Sequence, residues 1–407
     1  MMHRTLVEER RWIAESRFLH ALNYCMLLPG PEAQQLATYI GWVLFGVRGG
    51  VTAGLLFVLP GLLVMILLAS AYALYHQTVW LSGVFFGLKA VILAVVVEAV
   101  VRLGRKTLKS RFLLCVAAIA FLALFLLQLP FPIVVVAAAL AGWILNREGA
   151  QSADLADEAD GPRSRPGAWK TWSSLLLWIM LWQLPLCMLW LLSAPPALSD
   201  LFLFFSKMAL VTFGGAYAVL AYVAQVAVES YGWLRPGEML DGLALAETTP
   251  GPLVLVLSFV GFLVGFREAA GLGAIAGGVA GAILVAWATF VPSFIWIFAG
   301  APYIERLRGN RAFSGALSAI TAAVVGVILN LALWFGLHVL FRQTVEVEMA
   351  PTLGLRLLLP VPSSLDPAAV ALFILSAFLL LRFRLGLLPV LSIGALGGLV
   401  LTALASG

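Results

Sequence analysis

Two Pro-Gly-Pro triplets carry the most distinctive chemistry in this sequence. Pro29-Gly30-Pro31 and Pro250-Gly251-Pro252 each interrupt an apolar run, at 17 to 46 and 238 to 265. Proline removes a backbone donor and clashes with the turn before it, and glycine permits a sharp change of direction, so a continuous helix should break there into two half-helices. Pro31 and Pro252 then stand near the first position of the following half-helix, where a missing N–H costs little. The unpaired N–H groups of that first turn, with the positive end of the helix dipole, face the break, and an oxyanion fits that environment. Thr248 and Thr249 add hydroxyl donors beside the second triplet, and Phe213-Gly214-Gly215 offers another place for close approach to backbone. A kinked membrane helix whose neighbours re-satisfy the backbone is the competing explanation. Recurrence of the triplet at the same spacing from a tryptophan, Trp12 and Trp233, weighs against it.

Ionisable residues inside apolar stretches come next, because each needs a partner or a task. Lys89 lies near the middle of the stretch 79 to 101 and either attracts an anion or pairs with a buried carboxylate. Glu247, just ahead of Thr248, is a candidate for proton coupling, with a structural hydrogen bond at the helix break as the plainer alternative. Lys207 reads as an interfacial anchor or an anion-facing charge, and Glu98 as an ordinary i,i+4 partner of Arg102. Trp12 and Trp233 read as interfacial belt residues.

The elements that must position these groups are membrane helices. Of 407 residues 62% are hydrophobic and only 11% charged, which excludes a water-soluble fold of this size. Bilayer hydrocarbon is about 30 Å thick and takes roughly 20 apolar residues per helical crossing. The stretches 50 to 75, 79 to 101, 173 to 193, 268 to 300 and 312 to 341 each meet that length. The formal charge of +5 lies between apolar runs and not along one face, so it marks topology and not nucleic acid. Arg102, Arg105, Lys106, Lys109 and Arg111, with no acidic residue among them, place their loop in the cytoplasm. No signal peptide is evident in the first seventeen residues. Cys25, Cys115 and Cys187 are isolated in apolar segments and read as packing residues; neither they nor the four histidines have metal-ligand spacing, so no metal or other cofactor is expected.

The chain repeats itself. At an offset of 221, Val7, Glu8, Trp12, Leu19, Leu22, Pro29, Gly30, Pro31 and Leu36 fall on identical residues from Val228 to Leu257. A second block at offset 232 pairs Pro60 with Pro292, Ser82 with Ser314, Gly83 with Gly315 and Glu98 with Asn330. The expected organisation is a first transmembrane half at 1 to 145, a polar cytoplasmic linker at 146 to 171, a connecting helix and loop at 172 to 200, and a second half at 201 to 407. The acidic DLADEAD run inside the linker reads as solvated loop and not as a metal site. The second half has an additional apolar segment, Leu201 to Val228, whose counterpart would fall before Met1. The first half is therefore expected to lack its first helix, through a displaced start, a fragment or a true loss.

The segments 22 to 42, 213 to 220 and 239 to 262 resemble the chromate ion transporter family in its long form with two fused halves, with weaker similarity along most of the remainder. The resemblance implies export of chromate across the bacterial cytoplasmic membrane, and an FGG motif in each half; here the first-half motif is absent. If each complete half crosses six times, the halves are inverted relative to one another, giving about twelve crossings. The loops at 102 to 111, 146 to 171 and 301 to 311 are then all cytoplasmic. The same count puts Arg4, Arg10, Arg11 and Arg17 outside, against the charge rule. An all-α secondary transporter with its site near the midplane follows, taking chromate or a related dianion such as sulfate. No Walker A motif supports direct ATP drive, and deep acid, base or metal groups are too few for a membrane-embedded enzyme. An inactive homologue is the further alternative raised by the missing helix. Oligomeric state is not readable.

Overall fold

The computed structural model describes residues 2–26, 28–76, 78–145, 168–211, 216–269, 271–300, 311–350 and 355–406. Most of the linker, the 301 to 310 loop and Phe213, Gly214 and Gly215 lie outside the described residues. The architecture is all-α and polytopic. Among the described residues, six helical stretches are long and apolar enough to cross a bilayer, lying within 32–75, 79–107, 172–191, 274–300, 312–340 and 387–404; four shorter apolar helices accompany them.

In the first half, α1 (Glu15–Cys25) precedes α2 (Glu32–Tyr75), α3 (Val79–Thr107), α4 (Arg111–Phe125) and α5 (Phe131–Leu145). After α6 (Ala168–Leu191) come α7 (Pro196–Val211), α8 (Ala216–Gln225), α9 (Pro236–Thr248), α10 (Val256–Glu268), α11 (Ala274–Ile295), α12 (Arg311–Leu340), α13 (Pro367–Leu381) and α14 (Leu387–Ser406). Starts are chemically marked: Ser110 Oγ accepts from the N–H of Leu113, and Asp366 accepts from Ala368 and Ala369.

The 44-residue α2 would be about 66 Å long if straight. It is not straight: Phe45 and Gly46 have non-helical backbone, with Gly46 at φ +66°. Gly41 lies against Gly49 and Thr38 against Gly54, contacts possible only if the chain doubles back at that point. α10 and α11 form the corresponding hairpin, with Gly261 against Gly281 and Gly265 against Gly277. Small residues let the backbones touch, the usual means of holding helices together where lipid removes the hydrophobic drive.

Packing is exchanged between the two parts of the chain. α3 lies against α13 and α14, while α12 lies against α4 and α5, and α3 and α12 touch each other at the centre. Gly83 of α3 faces Leu399 and Thr402 of α14, and its offset-232 counterpart Gly315 of α12 faces Gly142 of α5. One large buried cluster runs through these helices, and a smaller one joins Phe18, Tyr24, Leu36 and Tyr39 to Ile297. Outward faces are apolar: Trp172, Leu176, Met180, Met188 and Leu191 of α6 are all exposed. Bilayer contact explains such a face where water cannot.

Two expectations need correction. Cys25 is buried, but Cys115 and Cys187 lie on the outside of their helices. Thiols are apolar enough for an outward membrane face, so an apolar setting did not imply interior packing. Trp233 is buried, stacked on Tyr231 at 4.1 Å and set edge-on to Phe204, while Trp12 is exposed. Within the all-α class, a small antiparallel hairpin, β1 (Thr344–Ala350) with β2 (Leu355–Pro360), interrupts the otherwise helical chain. Its Thr-Val-Glu-Val-Glu alternation has the period of a strand.

Candidate functional site

Both Pro-Gly-Pro triplets break helices. α1 ends at Cys25 and α2 begins at Glu32; α9 ends at Thr248, and a 3₁₀ turn, Leu253–Leu255, leads into α10. Gly30 has φ +116° and Gly251 φ +142°, a region L-residues rarely adopt, so glycine at these two positions sets the change of direction. Pro31 and Pro252 occupy the N-cap, one residue ahead of the first helical position.

Each break rests on a proline-containing helix from the other part of the chain. The repeated pair Pro60 and Pro292 marks the two places. A Cβ on Gly61 would lie 2.6 Å from the Pro250 carbonyl oxygen, and a Cβ on Gly30 would lie 3.4 Å from Ser293 Oγ. Gly61 and Ser293 follow their prolines directly and are themselves related by the offset of 232. Pro292 also frees the carbonyl of Ala288 from the helix ladder. Trp182 Nε1 of α6 donates to it at 3.2 Å.

The first break is buried and polar. Gln34, Gln35 and Thr38 are inaccessible on the first turns of α2, and Thr289 and Ser293 are buried opposite them on α11. Gln35 Nε2 donates to the Pro29 carbonyl at 2.7 Å, which braces the loop. Both polar atoms of Gln34, with Gln35 Oε1, Thr289 Oγ1 and Ser293 Oγ, have no partner. A buried polar group without a partner costs about 1–3 kcal/mol, so five such atoms around one helix N-terminus imply a polar guest. A cavity of about 10 Å³ bordered by Gly30, Pro31, Val254 and Thr289 is the present opening. It holds one water at most, so a tetrahedral anion enters only when the break opens.

The second break is accessible. Thr248, Pro250 and Gly251 are exposed. Thr248 and Thr249 donate their hydroxyl protons back to Leu245 and Ala246 carbonyls at 2.8 and 2.9 Å, so the donors expected of them beside the triplet are engaged by their own helix. Glu247 accepts a 2.7 Å hydrogen bond from Tyr217 of α8.

Lys89 lies in neither break. Its ammonium pairs with Asp241 of α9 at 3.3 Å, and Tyr72 of α2 donates to the same carboxylate oxygen at 2.9 Å. Of the two readings for Lys89, pairing with a buried carboxylate is therefore the one observed. Lys207 is exposed on α7. Glu98 pairs loosely with Arg102 at 3.9 Å, the i,i+4 contact expected of it. The residues that sequence reasoning passed over are Gln34, Thr289, Ser293 and Asp241. The signal for three of them was polarity within one helical turn of a repeated proline or triplet; for Asp241 it was a carboxylate inside an apolar run.

The family model for chromate transporters matches residues 1–143 and 199–400. The chain belongs to the chromate transporter family. It is 30% identical over 335 residues to the probable chromate transport protein of Synechococcus elongatus, covering 82% of this chain and 78% of that one. It is 33% identical over 331 residues to the chromate transport protein of Pseudomonas aeruginosa, covering 81% and 73%. The chromate transport protein of Cupriavidus metallidurans is 28% identical over 334 residues, covering 80% and 74%. No solved structure matches the chain. Within this chromate transporter family member, both breaks and the Gln34, Thr289 and Ser293 cluster fall inside the matched regions, while α6 and the linker fall between them.

Proposed function

We propose that this protein is a secondary transporter that exports chromate from the cytoplasm across the bacterial cytoplasmic membrane and thereby confers chromate resistance. The observation that carries the reading is the first break: a buried helix N-terminus facing polar atoms that have no partner. Donors held in a dry site bind a dianion far better than the same donors in water. The path runs between Pro29, Gly30 and Pro31 on one side and Thr248 to Pro252 on the other. Two halves, 1 to 145 and 201 to 407, in inverted topology give one break facing each side, and the burial of the first and exposure of the second fit a state open on one side only. Glu247, at the end of α9, links transport to the proton gradient. Relatives carrying the name chromate transport protein support the substrate; direction follows from the family resemblance alone.

Sulfate or another tetrahedral dianion is the second reading, favoured because the described residues at the first break offer only hydroxyls, amides and a helix N-terminus, which respond to charge and shape alone. The test is chromate accumulation in bacterial cells expressing the full chain, with membrane insertion verified by immunoblot. Export predicts lower accumulation than in vector controls. Unchanged accumulation together with altered sulfate accumulation would transfer the assignment to sulfate.

A further inference from the structure

α9 carries two carboxylates one turn apart, and they differ in how completely they are satisfied. Glu238 accepts from the Arg235 backbone N–H at 2.9 Å and from two nitrogens of Arg267 at 2.6 and 3.0 Å. Asp241 is as deeply placed, its side chain 6% exposed. Its Oδ2 takes both Lys89 of α3 and Tyr72 of α2, while its Oδ1 has no partner. A buried carboxylate oxygen without a donor costs several kcal/mol in apolar surroundings. Beside it lies a cavity of about 340 Å³, lined by Lys89, His76, Ser82 and Arg235 among others, with Arg235 exposed at its edge. A donor reaching Oδ1 through that cavity is a water or a proton.

We propose that Asp241 is a proton-binding site that ties protonation to movement of the half-helix ending at the second break, a role that rests on the transport reading above. Asp241 joins three helices through one oxygen. A proton taken from solvent onto Oδ1 makes the group a neutral acid, and the charge that holds the Lys89 ammonium is gone. α9 then loses its tie to α3 while its last residue, Thr248, borders the Pro250 turn. The groups facing Asp241 are Lys89 from α3, Tyr72 and His76 from α2, Glu238 and Arg235 from α9 and its N-cap, and Arg267 from α10 behind Glu238. α12 also packs on α9 and lines none of this cavity. With Glu238 neutralised by Arg267, one proton on Asp241 leaves Lys89 and Arg235 as uncompensated positive charge. Proton arrival and anion attraction are thus linked at one place.

The test is infrared difference spectroscopy of the purified full chain across a pH titration, which reads the carbonyl stretch of a protonated buried acid without requiring transport. A band is expected in the Glu247→Gln background, which removes the other proposed proton carrier, and its loss when Asp241→Asn is added. Lys89→Gln removes the counter-charge and should move the band's midpoint upward by about one pH unit or more, a readout that a merely structural role would not move. A band that survives Asp241→Asn in the Glu247→Gln background, or a midpoint that Lys89→Gln leaves in place, would overturn the proposal. In proteoliposomes that carry oxyanion flux, Asp241→Asn should lose acceleration by a pH gradient and keep anion exchange. Failure of wild-type flux would bear on the transport reading alone, because the infrared arms stand without it.

Discussion

Replacing Gly61 by alanine tests whether the second break is held by α2. The new Cβ would lie 2.6 Å from the Pro250 carbonyl oxygen, about 0.7 Å short of the ~3.3 Å at which carbon rests against such an oxygen. That oxygen is backbone within a turn fixed by two prolines and a glycine at φ +142°, so no side-chain rotation relieves the contact. Alanine gains up to about 1 kcal/mol over glycine in a helix interior, and overpacking costs about 1–3 kcal/mol. The net destabilisation should therefore be small, about 0–2 kcal/mol. Transport should fall much further, on the order of tenfold or more, because the break is displaced by most of an ångström, and binding geometry of this kind loses about 10² per ångström. The control is Gly104→Ala in α3, where the nearest atoms stand 3.7 and 3.8 Å from the new methyl; it should be neutral or slightly stabilising. The assay is initial chromate uptake into everted membrane vesicles, normalised to transporter by immunoblot. Equal rates for Gly61→Ala and Gly104→Ala would refute the claim that this contact positions the break.

Ser293→Ala removes a buried hydroxyl that has no partner, so thermal stability should hold or rise by about 1 kcal/mol while apparent chromate affinity falls by on the order of tenfold, the worth of one hydrogen bond to a charged ligand. Vesicle uptake against chromate concentration, beside a melting curve, separates the two effects. Asp366 lies outside the spans, at the N-cap of α13. Burial raises its pKa, but Arg342 and the N–H groups of Ala369 and Ala368 outweigh this and hold it below the usual carboxylate range. A lowered folded pKa gives stability that is complete above the unfolded value near 3.9 and is lost as pH falls through the folded one. Asp366→Ala should cost about 1 kcal/mol at pH 7, chiefly the cap because Arg342 is 74% exposed, and the gap from wild type should shrink as pH drops below about 4.

Local chemistry made the breaks readable: proline and glycine act on their own backbone, so Pro29 to Pro31 and Pro250 to Pro252 announced themselves without tertiary information. The offset repeat went further, since Pro60 with Pro292 and Gly83 with Gly315 mark matching contacts in the fold. Partners across the fold were not readable. For Lys89 the sequence left an anion and a buried carboxylate as alternatives, and choosing Asp241 required knowing that α3 lies on α9. Trp233 and the outward Cys115 and Cys187 failed for one reason: an apolar run has both a lipid face and a protein face, and composition does not distinguish them. The hairpin at Thr344 to Pro360 was overlooked although its alternation is local, because it is short and set among long helices. Nothing in the two identical triplets foretold that one would be buried with unpaired polar atoms around it and the other exposed; that difference arises from the helices packed over each.

Chromate flux through the purified full chain in proteoliposomes, measured with and without excess sulfate and beside a Gly30→Val variant, tests the central claim most directly. The account predicts saturable chromate flux above empty liposomes, competition by sulfate, and loss in Gly30→Val, whose side chain would occupy the space between Gln35 and Ser293. Flux indistinguishable from empty liposomes despite verified insertion, or full flux in Gly30→Val, would contradict it.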